Sequence, residues 1–148
     1  MYSTVLVIHS WVRWAALLAA VMALISLLTD RTGARGERWG LVLVICMDLQ
    51  LLLGLALYVA LSPFTTEALR NFSAAMQQPS LRFFAMDHPA TMLLAVVLVH
   101  VGRVLGRKAA TPAAARTRLL ACFGVALLLM LAGMPWPGLP AGRPLFRI

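Results

Sequence analysis

Charge is what this sequence has least of. Asp, Glu, Lys and Arg make up only 12% of its 148 residues and five of them are acidic, while hydrophobic residues reach 61% and the mean hydropathy is +0.87. Soluble domains run near half apolar and a quarter charged, so a water-exposed globular domain is excluded and an integral membrane protein is implied. Cysteine is scarce too. Cys46 and Cys122 stand without CxxC, CxxCH or any metal-type spacing and read as small packing residues. With no CxxCH there is no basis for haem attached through thioether bonds, and no P-loop, GxSxG, HExxH or strand-associated GxGxxG occurs. The net charge of +8 would suggest nucleic acid in a soluble chain; here it reports cytoplasmic loops and anionic lipid headgroups, and nucleic acid is not expected as a partner.

What remains is long apolar runs. About 20 such residues cross the hydrocarbon layer as a helix, which predicts spans at residues 4–28, 40–61, 83–105 and 119–134. The fold expected is all-α, a single membrane domain forming a four-helix up-down bundle. Residues 1–4 carry no basic stretch and the run after them is too long for a cleaved leader, so it reads as a span. A polar loop over residues 29–38 separates the first two spans. Phe64, Leu69, Phe72 and Met76 predict a short amphipathic helix over 63–77 lying on the membrane surface. The tail, residues 135–148, is too rich in proline and glycine for helix and is expected to run extended. The first and third loops hold Arg31, Arg35, Arg38, Arg103, Arg107, Lys108, Arg116 and Arg118, against Arg70, Arg82, Arg143 and Arg147 elsewhere. That asymmetry puts both termini outside, which is the periplasmic side of the inner membrane if the protein is bacterial.

Against this background the three histidines stand out, because an ionisable side chain at membrane depth is costly and marks function by default. His9 lies 19 residues from Leu28 and His88 lies 17 from Leu105. The difference of two residues is about 3 Å of helix rise. The two should therefore meet at one depth from opposite sides of the core, as the axial ligands of one b-type haem would. Neutral imidazole suits haem iron, and its second nitrogen is normally oriented by a carbonyl or carboxylate. Arg13, four residues after His9, shares its face and is expected to snorkel to the headgroups or meet a propionate or quinone oxygen. The alternative for His88 is a helix start at Asp87-His88-Pro89.

His100 is twelve residues beyond His88 and about 120° away around the helix, so it does not share that face. Its expected partner is Asp48, with Gln50 nearby, forming a proton path or quinone pocket or a hydrogen bond that fixes helix packing.

Residues 9–14 (His-Ser-Trp-Val-Arg-Trp), 47–55 (Met-Asp-Leu-Gln-Leu-Leu-Leu-Gly-Leu), 81–88 (Leu-Arg-Phe-Phe-Ala-Met-Asp-His), His100-Val101-Gly102-Arg103, Pro135-Trp136-Pro137 and 142–147 (Gly-Arg-Pro-Leu-Phe-Arg) resemble, over most of the chain, a family of small four-helix bacterial membrane proteins labelled cytochrome b. That resemblance implies haem b and electron transfer near the outer face, in a subunit of a larger respiratory or photosynthetic redox complex. Membrane lipids and other membrane redox subunits are the expected partners. A looser likeness is to four-helix membrane protoporphyrinogen oxidases and copper-resistance D-type domains, although His88 stands near where those oxidases have a functional lysine. Two other classes are weighed beside it: a porphyrinogen or quinone oxidoreductase, and a cofactor-free structural or assembly subunit. A chlorophyll-type pigment on one histidine would be five-coordinate.

Overall fold

In hydrocarbon each backbone N–H and C=O must find its partner within its own segment, which makes long apolar runs helical. The computed structural model describes residues 1–30 and 34–146, and every regular element among them is a helix. These are α1 (Tyr2–Thr29), α2 (Ala34–Ala56), α3 (Pro63–Arg70), α4 (Phe72–Met76), α5 (Pro79–Arg82), α6 (His88–Arg107) and α7 (Pro112–Ala132). π-Helical turns at Leu57–Leu61 and Phe83–Asp87 extend α2 and lead into α6. Four stretches are thus long and apolar enough to cross a membrane: Tyr2–Thr29, Gly36–Leu61, Pro79–Arg107 and Pro112–Ala132. The chain is a multi-pass membrane protein by helix length and composition.

The helices overrun the apolar runs at their polar ends. α7 begins at Pro112, seven residues before the expected 119, because Thr111 Oγ1 accepts from the Ala114 N–H at 3.1 Å and Pro112 takes the first turn. A capping residue, an N-terminal proline and an alanine run favour helix whatever their hydropathy. Likewise Glu37, Arg38 and Trp39 belong to the first turns of α2, so most of the polar loop expected at 29–38 is helix, with Glu37 favourably placed at the positive end of the helix dipole. Arg31, Thr32 and Gly33 of that loop, the Arg35 side chain, and Arg147 and Ile148 of the tail lie outside the described residues.

α1 packs mainly on α2 and α6 on α7, and contacts of α1 with α7 and α2 with α6 close the ring. Lipid tails are as apolar as leucine, so helix association rests on close van der Waals fit and small residues. α1 supplies a buried stripe of Ala16, Ala19, Ala20, Ala23 and Ser26. At Gly102 of α6 a Cβ would lie 2.6 Å from Cys122 Cβ of α7, which only glycine permits at that backbone separation. Leu43, Met47, Val99 and Phe123 are fully enclosed. One half of the bundle is therefore filled. The half holding the start of α1 and α6 is not.

Two expectations are corrected here. The single surface helix over 63–77 is two helices, broken at Asn71 (φ −145°, ψ 82°), whose Oδ1 accepts from the Ala74 N–H at 3.1 Å. An Asn that caps its own successor ends the preceding helix. The tail is not extended: residues 133–146 fold in turns, with Gly142 N–H donating to Leu139 O at 2.7 Å and Arg143 N–H to Pro135 O at 3.0 Å. Gly138, at φ +89°, supplies the left-handed residue that such a reversal needs.

Candidate functional site

The unfilled half of the bundle encloses a cavity of about 290 Å³, close to the lower end of the usual range for cofactor and ligand sites. α1 contributes His9, Ser10 and Arg13; α2 contributes Met47, Gln50 and Gly54; α6 contributes His88, Met92 and Val96; and Met134, Arg143 and Pro144 close it from the end of α7 and the tail. Both π-helical turns reach it through Leu57, Tyr58 and Phe84. A π turn displaces backbone carbonyls from the ordinary helix register and is often found at functional sites. Here the displaced carbonyls have side-chain partners. Tyr58 O–H donates to Ala85 O at 3.0 Å, tying one π turn to the other, and Thr65 O–H donates to Tyr58 O at 2.8 Å.

His9 and His88 meet across this cavity with ring centroids 6.3 Å apart and planes at 74°. His88 sits at the first residue of α6, its N–H held to Phe83 O by the π turn. Its Nδ1–H donates to Gly133 O at 2.7 Å, which fixes the tautomer and leaves the Nε2 lone pair free. His9 is arranged differently. Gln50 donates from Nε2 to His9 O at 3.0 Å, and the same nitrogen is 3.4 Å from His9 Nε2. His9 Nδ1 and Gln50 Oε1 are buried with no partner. Such orphans are rare in native interiors and call for an explanation.

The cations of the site come from both ends of the chain. Arg13 donates to Leu145 O and to Ser10 Oγ, the latter at 3.3 Å, and Trp14 Nε1–H reaches the same carbonyl at 3.1 Å. Phe146 stacks on Trp14 at 5.3 Å between centroids. The tail is thereby fastened to α1. Arg143 lies over the Phe64 and Phe84 rings at 4.7 and 5.0 Å. No carboxylate is among the described lining residues.

The structure thus brings together His9, His88 and Arg13, and it adds Gln50 to that group rather than to Asp48. Asp48 and His100 form their own pair, with His100 Nε2 to Asp48 Oδ1 at 2.8 Å, away from the cavity. Arg143, Tyr58 and the Gly133 carbonyl were missed as members of the site. Arg143 had a signal, since it falls in the 142–147 segment that carries the family resemblance, but its route back to the bundle depends on turns at Gly138 and Gly142 that hydropathy does not record.

Among the described residues no three His, Cys, Asp or Glu side chains gather into a group able to hold a metal ion. Two imidazoles alone are a poor site for a bare ion, which usually takes at least three protein ligands. Compared with known proteins, the chain matches no family model, no curated protein and no solved structure.

Proposed function

We propose that this chain is a b-type cytochrome-like membrane protein that holds one haem between His9 and His88 and passes electrons through it. The observation that carries the reading is the pairing of these two rings, from the first and third spans, across a cavity rather than in packed core. Their ring centroids lie 6.3 Å apart, and two imidazoles brought together in this way could both hold one haem iron. A tetrapyrrole brings four ring nitrogens of its own, so two protein ligands suffice. His88 carries the outer-shell hydrogen bond typical of a ligating histidine, Nδ1–H to a backbone carbonyl, which orients the ring and raises its basicity. His9 Nδ1 is the uncommitted nitrogen on the other side.

Arg13 and Arg143 fit the same reading, as cations at the cavity able to receive carboxylates such as haem propionates. A haem held by His9 and His88 would supply one-electron transfer. The chain's own residues hold the two rings and fix one tautomer, and the tail borders the cavity through Pro135, Arg143 and Pro144. The basic residues of the first and third loops support an inner-membrane orientation with the cavity toward the periplasm and both termini there, in an up-down bundle. A small bundle of this kind suits a subunit of a larger redox complex.

The buried Gln50 Oε1 and His9 Nδ1 favour a second occupant class, a quinone whose carbonyl or hydroxyl groups would satisfy them in the apolar cavity. The two are separated by a pyridine haemochrome assay and a redox difference spectrum on protein produced with iron and porphyrin precursor supplied. A b-type spectrum near one haem per chain, shifted or lost in both His9→Ala and His88→Ala, is expected. Haem-free, folded wild-type protein that carries quinone would overturn the cytochrome reading.

A further inference from the structure

Asp48 of α2 and His100 of α6 bring ionisable groups of two spanning helices together on the outside of the bundle. Asp48 stands 12 residues after Gly36 and 13 before Leu61, at the midpoint of its membrane-spanning stretch. The pair lies over the seam between α2 and α6, and each side chain is 47% exposed. Around it are lipid-facing leucines, isoleucines and valines: Ile45, Leu49 and Leu52 on α2, Val97, Val101 and Val104 on α6. Ionisable groups in membrane helices nearly always face the bundle interior or a watery cavity. This pair faces neither.

Hydrocarbon tolerates the pair only at zero net charge. Two arrangements meet that condition, carboxylate with imidazolium or carboxylic acid with neutral imidazole. In both, one proton lies between Nε2 and Oδ1 and the other is on Nδ1. In both, therefore, the pair presents one free donor, His100 Nδ1–H, and one free acceptor, Asp48 Oδ2, wherever the shared proton sits. Among the described residues neither has a further hydrogen-bond partner. Lipid tails satisfy neither group. A surface that offers one donor beside one acceptor is complementary to itself across a two-fold axis. We propose that this face is the interface of a homodimer, in which Asp48 and His100 of each copy meet His100 and Asp48 of the other. Neither residue lines the cavity that holds His9 and His88, and both stand on a helix surface among lipid-facing side chains, which favours a second helix surface as their occupant. Interhelical polar contacts of this kind are a recognised source of association in membranes.

The proposal does not depend on what occupies the cavity. Its test is disulfide cross-linking in native membranes, in a Cys46→Ser, Cys122→Ser background, with single cysteines at Ile45→Cys or Leu52→Cys, one turn either side of Asp48. Leu128→Cys on α7, which is 66% exposed, is the control. Cross-linked dimer from the two α2 positions but not from Leu128→Cys is expected. Adding Asp48→Leu with His100→Leu should lower it at least tenfold while the thermal midpoint of the purified protein stays the same or rises. Cross-linking that survives the double substitution, equal cross-linking through Leu128→Cys, or a different polypeptide captured at Ile45→Cys in place of a second copy would overturn it.

Discussion

At the scale of single residues, the site is built by giving side chains to backbone groups that the helices leave over. His88 takes the Gly133 carbonyl at the end of α7, Gln50 takes the His9 carbonyl, and Tyr58 and Thr65 take the carbonyls of the two π turns. A hydrogen bond of this kind contributes about 1 kcal/mol net, and more is lost when a buried carbonyl is left unpaired. Tyr58→Phe should therefore destabilise the detergent-solubilised protein by about 1–3 kcal/mol, read as a lowered thermal midpoint, with a change in the spectrum of whatever fills the cavity; an unchanged midpoint would mean the π turns do not need that tie. The meeting of His9 with His88 was legible in the sequence, because depth along a helix is residue count times rise. So was the Asp48 and His100 pair. Gln50 was misplaced, although two residues along a helix turn the side chain by about 200°, which already sets it opposite Asp48. Arg143 and the Gly133 carbonyl were not legible, since a turn-rich tail has no period from which to project a position.

At the scale of elements, hydropathy located all four spanning helices and missed their ends. Apolar runs mark the lipid-facing length, whereas helix ends are set by local chemistry: the Thr111 cap with Pro112, and Glu37 in the first turn of α2. A close approach of two helices is also a residue-pair matter, as at Gly102 of α6 and Cys122 of α7. A methyl at Gly102 meets the Cβ of Cys122 and not a flexible tip, so the helices must part. Gly102→Ala is expected to cost about 1–3 kcal/mol, the usual penalty of overpacking, and Gly102→Ala with Cys122→Gly should cost less than the sum of the two single changes. Strict additivity in that double-mutant cycle would contradict the contact. The break at Asn71 illustrates the same limit. Its apolar neighbours keep helical spacing, and only the capping side chain ends one helix and starts the next.

At the scale of the whole molecule, the bundle is uneven in a way that suggests its use. One half is filled by a small-residue stripe and by Leu43, Met47, Val99 and Phe123. The other half holds a cavity with two histidines and two arginines, and the tail is pinned across it by Arg13, Trp14 and Phe146. The all-helical membrane architecture was legible in composition and apolar runs, and the place of the candidate site in His9, Arg13 and His88 within those runs, while His100 lies elsewhere. The filled-and-open division follows from packing between helices, which no single segment encodes.

The most direct measurement of the proposed haem ligation is electron paramagnetic resonance, for the spin state of any ferric haem, on wild type, His9→Ala and His88→Ala produced with iron and porphyrin precursor supplied, with and without added imidazole. Two protein imidazoles should give a low-spin wild-type signal. Each variant should shift toward high spin or lose haem, and imidazole diffusing into the vacated side of the cavity should restore the low-spin form. A low-spin signal unchanged in both variants, or a high-spin wild type, would contradict ligation by His9 and His88.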